Sequence, residues 1–178
     1  MKKIFHWFYC LDISEAILWL ILATLLCLLL RTKYGKAKGW KPVISALLLS
    51  WGAMILYATL GHRSERADGV QPQLIPFYSY YLVWKCGNPE IYRSNFMNGV
   101  LFYPIGLLGC ELLPKSWGTG KRILLTVSVA VFLSIAVEYL QYHFSLGVAE
   151  TGDVIHNALG AIAGAVVCCV PTEHYKRS

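Results

Sequence analysis

Five apolar runs, each close to the length of a membrane-crossing helix, alternate with polar segments along the chain. They cover Ile13–Leu30, Pro42–Leu60, Phe96–Leu113, Ile123–Tyr142 and Val154–Val170. A helix of about 20 predominantly apolar residues crosses the roughly 30 Å of hydrocarbon in a bilayer. The runs lack the alternation of polar and apolar residues that marks the strands of a membrane barrel. The pattern therefore predicts an all-α, polytopic transmembrane helical bundle of about five spans.

The long connection before the third run, Gly61–Asn95, contains a further apolar stretch. Leu74–Trp84 is too short to span a bilayer and is rich in Tyr and Trp, which favour the membrane–water interface. We expect a short interfacial or re-entrant segment that covers the outer ends of the helices. A surface loop with ordinary aromatic anchors is the alternative.

Composition supports the membrane interpretation. The 178 residues are 56% hydrophobic and only 15% charged, with a mean hydropathy of +0.50, whereas soluble domains carry about 25% charged residues. The length suits one helical domain over residues 1–178, without room for a separate soluble catalytic domain. The net charge of +6 is explained by the polar ends of the helices, so we expect no nucleic-acid partner.

The basic residues also predict an orientation. Of the sixteen Lys and Arg residues, ten fall on one side of the predicted bundle and six on the other. The side richer in Lys and Arg usually faces the cytoplasm. We therefore expect the amino terminus outside and the carboxyl terminus in the cytoplasm.

Polar residues gather at the outer ends of the predicted helices. Ser134, Glu138 and Gln141 follow an i, i+4, i+7 spacing, which is one helix face. Asp153 and Asn157 share a face with two glycines of the next run. The residues predicted to line one outer-leaflet pocket are Arg63, Asn98, Glu138, Gln141, Asp153, His156 and Asn157.

Carboxylates near hydrocarbon are costly and are usually retained for a function. Glu138 and Asp153 are the candidate acid–base pair. Asp153 is also well placed to cap a helix, and the amides could simply join helices by hydrogen bonds. His156 with two carboxylates is a weak pattern for a metal, so we expect no metal and no cofactor.

Four segments resemble motifs of the VanZ-like membrane proteins. Asn98–Gly106 resembles N-x-x-x-F-x-P-x-G, Ser134–Gln141 resembles S-x-x-x-E-x-x-Q, and Asp153–Gly164 resembles D-x-x-x-N-x-x-G-x-x-x-G. Leu74–Phe77 resembles the L-I-P-F entry of that family. The resemblance is strongest over residues 70–170. Gly147 and Gly152 stand where many members carry Arg and Asp. The resemblance therefore does not imply that the acidic cluster of this chain has the charge pairing of those members.

The resemblance implies a multi-pass protein of the bacterial cell membrane, associated with lowered susceptibility to teicoplanin-type lipoglycopeptides. The expected partners are membrane lipids and a lipidated glycan or lipoglycopeptide, bound in the polar pocket. The alternative is a membrane-embedded enzyme acting on an envelope lipid or glycan, with Glu138 and Asp153 as its acid–base pair. The sequence leaves the oligomeric state open.

Overall fold

Helices form nearly all of the structure, a computed structural model that describes residues 13–60, 71–87 and 89–174. Of residues 89, 90 and 170–174 it describes the backbone. The helices in the described part are α1 (Ile13–Tyr34), α2 (Trp40–Leu60), α3 (Tyr78–Cys86), α4 (Pro89–Leu112), α5 (Thr119–His143) and α6 (Thr151–His174). These ranges contain no strand, and one isolated parallel bridge joins Gln73 to Glu150. The prediction of an all-α protein is confirmed.

Four of the described helices are long and apolar enough to cross a membrane. They are α1, α2, α5 and the Thr151–Cys169 part of α6. A helix also forms at the predicted third span, as α4, but it is not among these four, so the count of five spans stays a prediction. Helix α4 touches each of the other five described helices. Its neighbours shield much of its surface, which lets it carry polar residues such as Asn95, Asn98 and Glu111.

The aromatic segment before α4 forms the nine-residue helix α3, which lies against α4. Leu74 and Trp84 are 71% and 83% exposed. Phe77, at the amino-terminal cap, has a left-handed backbone conformation with φ of 59°, which turns the chain sharply into the helix. The segment is thus a surface helix, and its depth in a membrane stays a prediction.

The backbones of α4 and α6 lie in direct contact. A Cβ atom added at Gly160 would overlap the Gly99 carbonyl, and one added at Gly164 would overlap the Tyr103 carbonyl. A Cβ added at Gly106 would overlap the Ala161 carbonyl in the same way. Small residues allow such close approach between helices. The glycines of the two motifs therefore set the spacing and register of this helix pair.

Pro104 lies within α4 and cannot donate the usual helical hydrogen bond to the carbonyl of Val100. A tryptophan from α2 approaches the adjacent peptide group, since Trp51 Nε1 donates to the Leu101 carbonyl at 2.8 Å. Phe102, beside it, is 1% exposed and belongs to an apolar cluster with Ile55. This cluster attaches α2 to the central helix.

Helix α1 is joined to the bundle at a few points. Ala16 is its one buried residue, packed against Met97 and Val100. Thr24 Oγ1 and the Tyr103 hydroxyl are 2.9 Å apart. The remaining surface of α1 is largely exposed and apolar, which suits contact with lipid.

We predict that Gly160→Ala lowers the free energy of unfolding by about 1–3 kcal/mol, because the new methyl forces the α4 and α6 backbones apart. Thermal unfolding in detergent micelles measures the change. Gly52→Ala is the matched control, since Gly52 lies within α2 with open space around it and alanine favours helix. Equal melting temperatures for the two variants would contradict the close contact.

Candidate functional site

The predicted polar residues on α5 and α6 are buried at one end of the bundle. Ser134, Glu138 and Gln141 are 0%, 8% and 1% exposed, and Asp153 is 9% exposed. His156 and Asn157 are also buried. This is the end at which α2 and α5 finish and α4 and α6 begin. Arg63 lies outside the described residues.

Side-chain amides join three helices at this end. Asn157 Nδ2 donates to Ser134 Oγ at 2.8 Å, which links α6 to α5. Gln141 Nε2 donates to the Thr59 carbonyl at 3.1 Å, which links α5 to the last turn of α2. The expected role of such amides in joining helices is therefore present in the structure.

Glu138 and the backbone of Asp153 both bind the main chain of Glu150. Glu138 Oε2 accepts a hydrogen bond from the backbone N–H of Glu150 at 2.9 Å. The carbonyl of Glu150 in turn accepts from the backbone N–H of Asp153 at 3.1 Å. Glu138 thus holds the turn that leads into α6, and Asp153 lies in the first turn of this helix.

The same turn holds the segment that precedes α3. The backbone N–H of Gln73 donates to the Ala149 carbonyl at 2.9 Å, and that of Thr151 donates to the Gln73 carbonyl at 3.1 Å. Thr151 Oγ1 also donates to the Leu74 carbonyl at 3.3 Å. Glu138 therefore supports, through one turn, the attachment of the L-I-P-F segment.

Two contacts between α3 and the site were not anticipated from the sequence. The Tyr80 hydroxyl and His156 Nε2 are 2.8 Å apart, and Asn95 Nδ2 donates to Ser79 Oγ at 2.9 Å. Ser79 and Asn95 are both buried. The aromatic stretch was expected to cover the helix ends, which indicated contacts of this kind. The individual partners could not be predicted, because they depend on how α3 docks.

Three buried side-chain amide atoms at this end have no hydrogen-bond partner among the described residues. They are Asn98 Nδ2, Gln141 Oε1 and Asn157 Oδ1. Such atoms usually bind water or a polar ligand group. One donor and two acceptors are therefore available to a bound molecule.

A groove of about 280 Å³ lies between α1, α4 and α6, and we call it the α1–α4–α6 groove. Its polar rim is formed by Tyr80, Asn95 and His156. Below the rim its walls are mostly apolar: Leu20, Phe96, Val100, Leu159 and Ala163. Of the seven residues predicted to line one pocket, His156 lines this groove. Glu138, Gln141, Asp153 and Asn157 belong to the hydrogen-bonded network beside it. Asn98 lies on α4, with its Nδ2 atom unpartnered among the described residues.

A second polar cluster occupies the opposite end of the bundle. Glu111, 5% exposed, lies 3.2 Å from Arg31 Nε and 3.5 Å from Lys115 Nζ. Trp40 Nε1 also donates to its Oε1 at 3.1 Å. Arg122, 2% exposed, donates to the Cys110 carbonyl at 2.8 Å.

Sequence reasoning missed this cluster because it placed these charges at loop ends. Helices α1 and α5 extend beyond the apolar runs, so Arg31 and Arg122 are helical. Arg31 joins α1 to α4 through Glu111 and to α6 through the Cys168 carbonyl, at 2.8 Å. The sequence did contain a signal for this cluster: Glu111 lies inside an apolar run, and Arg31 and Arg122 lie at helix ends on the same side of the bundle.

The family model described as VanZ/LLP1 matches residues 18–171. The chain belongs to the VanZ/LLP1 family. Together with its long apolar helices, this makes it a VanZ-like membrane protein. Searches of curated proteins and of solved structures found no match.

The family motifs divide into two groups in this VanZ-like chain. Gly106, Gly160 and Gly164 form the α4–α6 contact, whereas Ser134 and Glu138 belong to the polar network. Among the described residues, no group of three or more His, Cys, Asp or Glu is placed to hold a metal ion.

Proposed function

We propose that this VanZ-like protein binds an amphipathic lipid or lipidated molecule at the outer leaflet of a bacterial cell membrane. An acyl chain lies in the α1–α4–α6 groove, and the polar group of the ligand meets the rim. The observation that carries this proposal is the arrangement of the groove, whose apolar walls run below the polar atoms of Tyr80, Asn95 and His156.

The size of the groove suits a single acyl chain as its occupant. Pockets for drug-sized ligands measure about 300–1,000 Å³, so a groove of about 280 Å³ is too small for a whole lipoglycopeptide. At about 1.5 Å per helical step, the eleven steps from Tyr92 to Tyr103 correspond to about 16 Å along α4. The glycan part of a ligand would stay outside.

The unpartnered atoms of Asn98, Gln141 and Asn157 lie on helices that also border or adjoin the groove. They supply one donor and two acceptors for hydroxyl or amide groups of the ligand, or for water. Trp84 and Leu74, which are highly exposed, suit contact of the α3 segment with the membrane interface.

The proposed topology places the groove rim outside the cell. The long helices α1, α2, α4, α5 and α6 form five spans of a single domain, with α4 surrounded by the others. The ten basic residues at the opposite end face the cytoplasm under the positive-inside rule. The amino terminus is then outside and the carboxyl terminus inside.

This topology predicts that Cys86, which is exposed at the end of α3, reacts with a membrane-impermeant maleimide in intact cells. The experiment uses a Cys10→Ser background, because Cys10 would also be outside. Labelling should disappear in the Cys10→Ser, Cys86→Ser double variant. Labelling of Cys86 only after cell lysis would show that the protein has the opposite orientation.

The physiological role proposed from the family resemblance is lowered susceptibility to teicoplanin-type lipoglycopeptides. Expression in a susceptible Gram-positive host should raise the inhibitory concentration of teicoplanin more than that of vancomycin, because only teicoplanin carries an acyl chain. Equal effects on both drugs, or none, would count against acyl recognition.

A bulky side chain in the groove tests the binding mode. Ala163 is exposed on the groove wall, so Ala163→Phe should exclude part of the chain without disturbing the core. Excluding two or three methylenes at about 0.8 kcal/mol each lowers the affinity by about fifteen- to sixtyfold. Binding of a fluorescent acyl-chain ligand to the purified protein measures this change.

Val129→Phe is the matched control, because Val129 is exposed on α5 and does not line the groove. It should bind like the wild type. Equal binding by the Ala163→Phe variant and the wild type would show that the ligand lies elsewhere.

The burial of both Glu138 and Asp153 near the start of α6 favours a second candidate function, an enzyme acting on an envelope lipid or glycan. Glu138 would transfer the proton, Asp153 would be its partner, and Asn98, Gln141 and Asn157 would orient the substrate. Burial of two carboxylates at one helix end suits such a pair.

Glu138→Gln separates the two candidates. The amide oxygen of glutamine can still accept from the Glu150 N–H, so the fold and the cellular abundance should be kept. An enzyme should lose about 10²–10⁴-fold in rate without its acid–base group, and the cellular phenotype with it. Full activity at wild-type abundance would exclude acid–base chemistry at this position.

A further inference from the structure

Two thiols meet at the end of the bundle opposite the candidate site. Cys110 Sγ on α4 and Cys169 Sγ on α6 are 3.2 Å apart. Cys110 is 0% exposed and Cys169 is 1% exposed. The polar network of Glu138 and the groove rim involve neither residue.

The α4–α6 backbone contact explains why these thiols meet. Gly106 and Gly164 bring the two backbones together, and Cys110 follows Gly106 by one helical turn. Cys169 lies just over one turn beyond Gly164. Even side chains as short as cysteine can therefore touch across the interface.

We propose that Cys110 and Cys169 are a redox-modification site, which a peroxide oxidises to an intramolecular disulfide between α4 and α6. A disulfide needs its sulfurs about 2.05 Å apart. The sulfurs must therefore move closer by only about 1 Å, which side-chain rotation with a small adjustment of the helices can supply.

The reaction balances with one hydrogen peroxide. The sulfur of one thiol, having lost its proton, attacks a peroxide oxygen, so that the O–O bond breaks and a sulfenic acid and water are formed. The second sulfur then attacks the sulfenic sulfur, and its S–O bond breaks with release of a second water. The two thiols lose two electrons and two protons in total, and a dithiol reductant reverses the change.

The surroundings favour Cys169 over its neighbour Cys168 as the partner of Cys110. Cys168 also interacts with Cys110, but its thiol points toward Glu111, with Sγ 3.6 Å from Oε2. Its carbonyl accepts from Arg31 Nη1 at 2.8 Å. Cys168 is therefore held by the ion-pair cluster, although it is equally buried.

Peptide mapping of the purified full-length protein in detergent tests the proposal. The protein is treated with hydrogen peroxide, unfolded, alkylated at its remaining thiols and digested. We expect a cross-linked peptide pair that contains Cys110 and lacks two hydrogen atoms, in a species that remains monomeric on a non-reducing gel. Dithiothreitol should restore alkylation of both cysteines.

Cys168→Ser is the matched control and should keep the cross-link. Cys110→Ser and Cys169→Ser should each abolish it. Full alkylation of Cys110 in oxidised wild-type protein would overturn the proposal, and this readout does not depend on any variant folding. A cross-link that persists in Cys169→Ser but is lost in Cys168→Ser would overturn the assignment of the pair.

Discussion

The direct contact between the backbones of α4 and α6 is the constraint on which the rest of the structure depends. Helices in a bilayer gain little from burying apolar surface against each other, so close packing of small residues becomes the main attraction. Gly99 against Gly160 and Gly164 against Tyr103 supply that packing. The contact fixes the register of the two helices, which places the start of α6 beside the polar turns of α4 and Cys169 beside Cys110.

The polar residues then divide between the two ends of this helix pair. At one end, amides and carboxylates bind backbone groups and hydroxyls of adjoining helices, as Glu138 does with the Glu150 N–H. At the other end, Glu111 is buried with several donors around it. A buried ion pair is costly unless it is well satisfied, and here it fastens the loosely packed α1 through Arg31. Because α1 forms one wall of the groove, this attachment helps to keep the groove's shape.

Much of the fold could be predicted from the sequence, because length, hydropathy and helical spacing are local properties. The shared face of Ser134, Glu138 and Gln141 is buried as expected. The pairing of Tyr80 with His156 could not be predicted, because it depends on how a nine-residue helix docks. That seven residues line a single recess stays a prediction. His156 borders the groove, while Glu138 and Asn157 form a hydrogen-bonded network beside it.

Solid-state NMR on the protein in lipid bilayers tests the central contact most directly. With ¹³C at the Gly99 carbonyl and at Gly160 Cα, the backbone contact predicts a strong through-space cross-peak between these two carbons. Helices at the usual spacing of about 8–10 Å would give a weak cross-peak or none. Its absence, in a sample whose other helix contacts are observed, would contradict the account of how the α4–α6 pair organises both ends of the molecule.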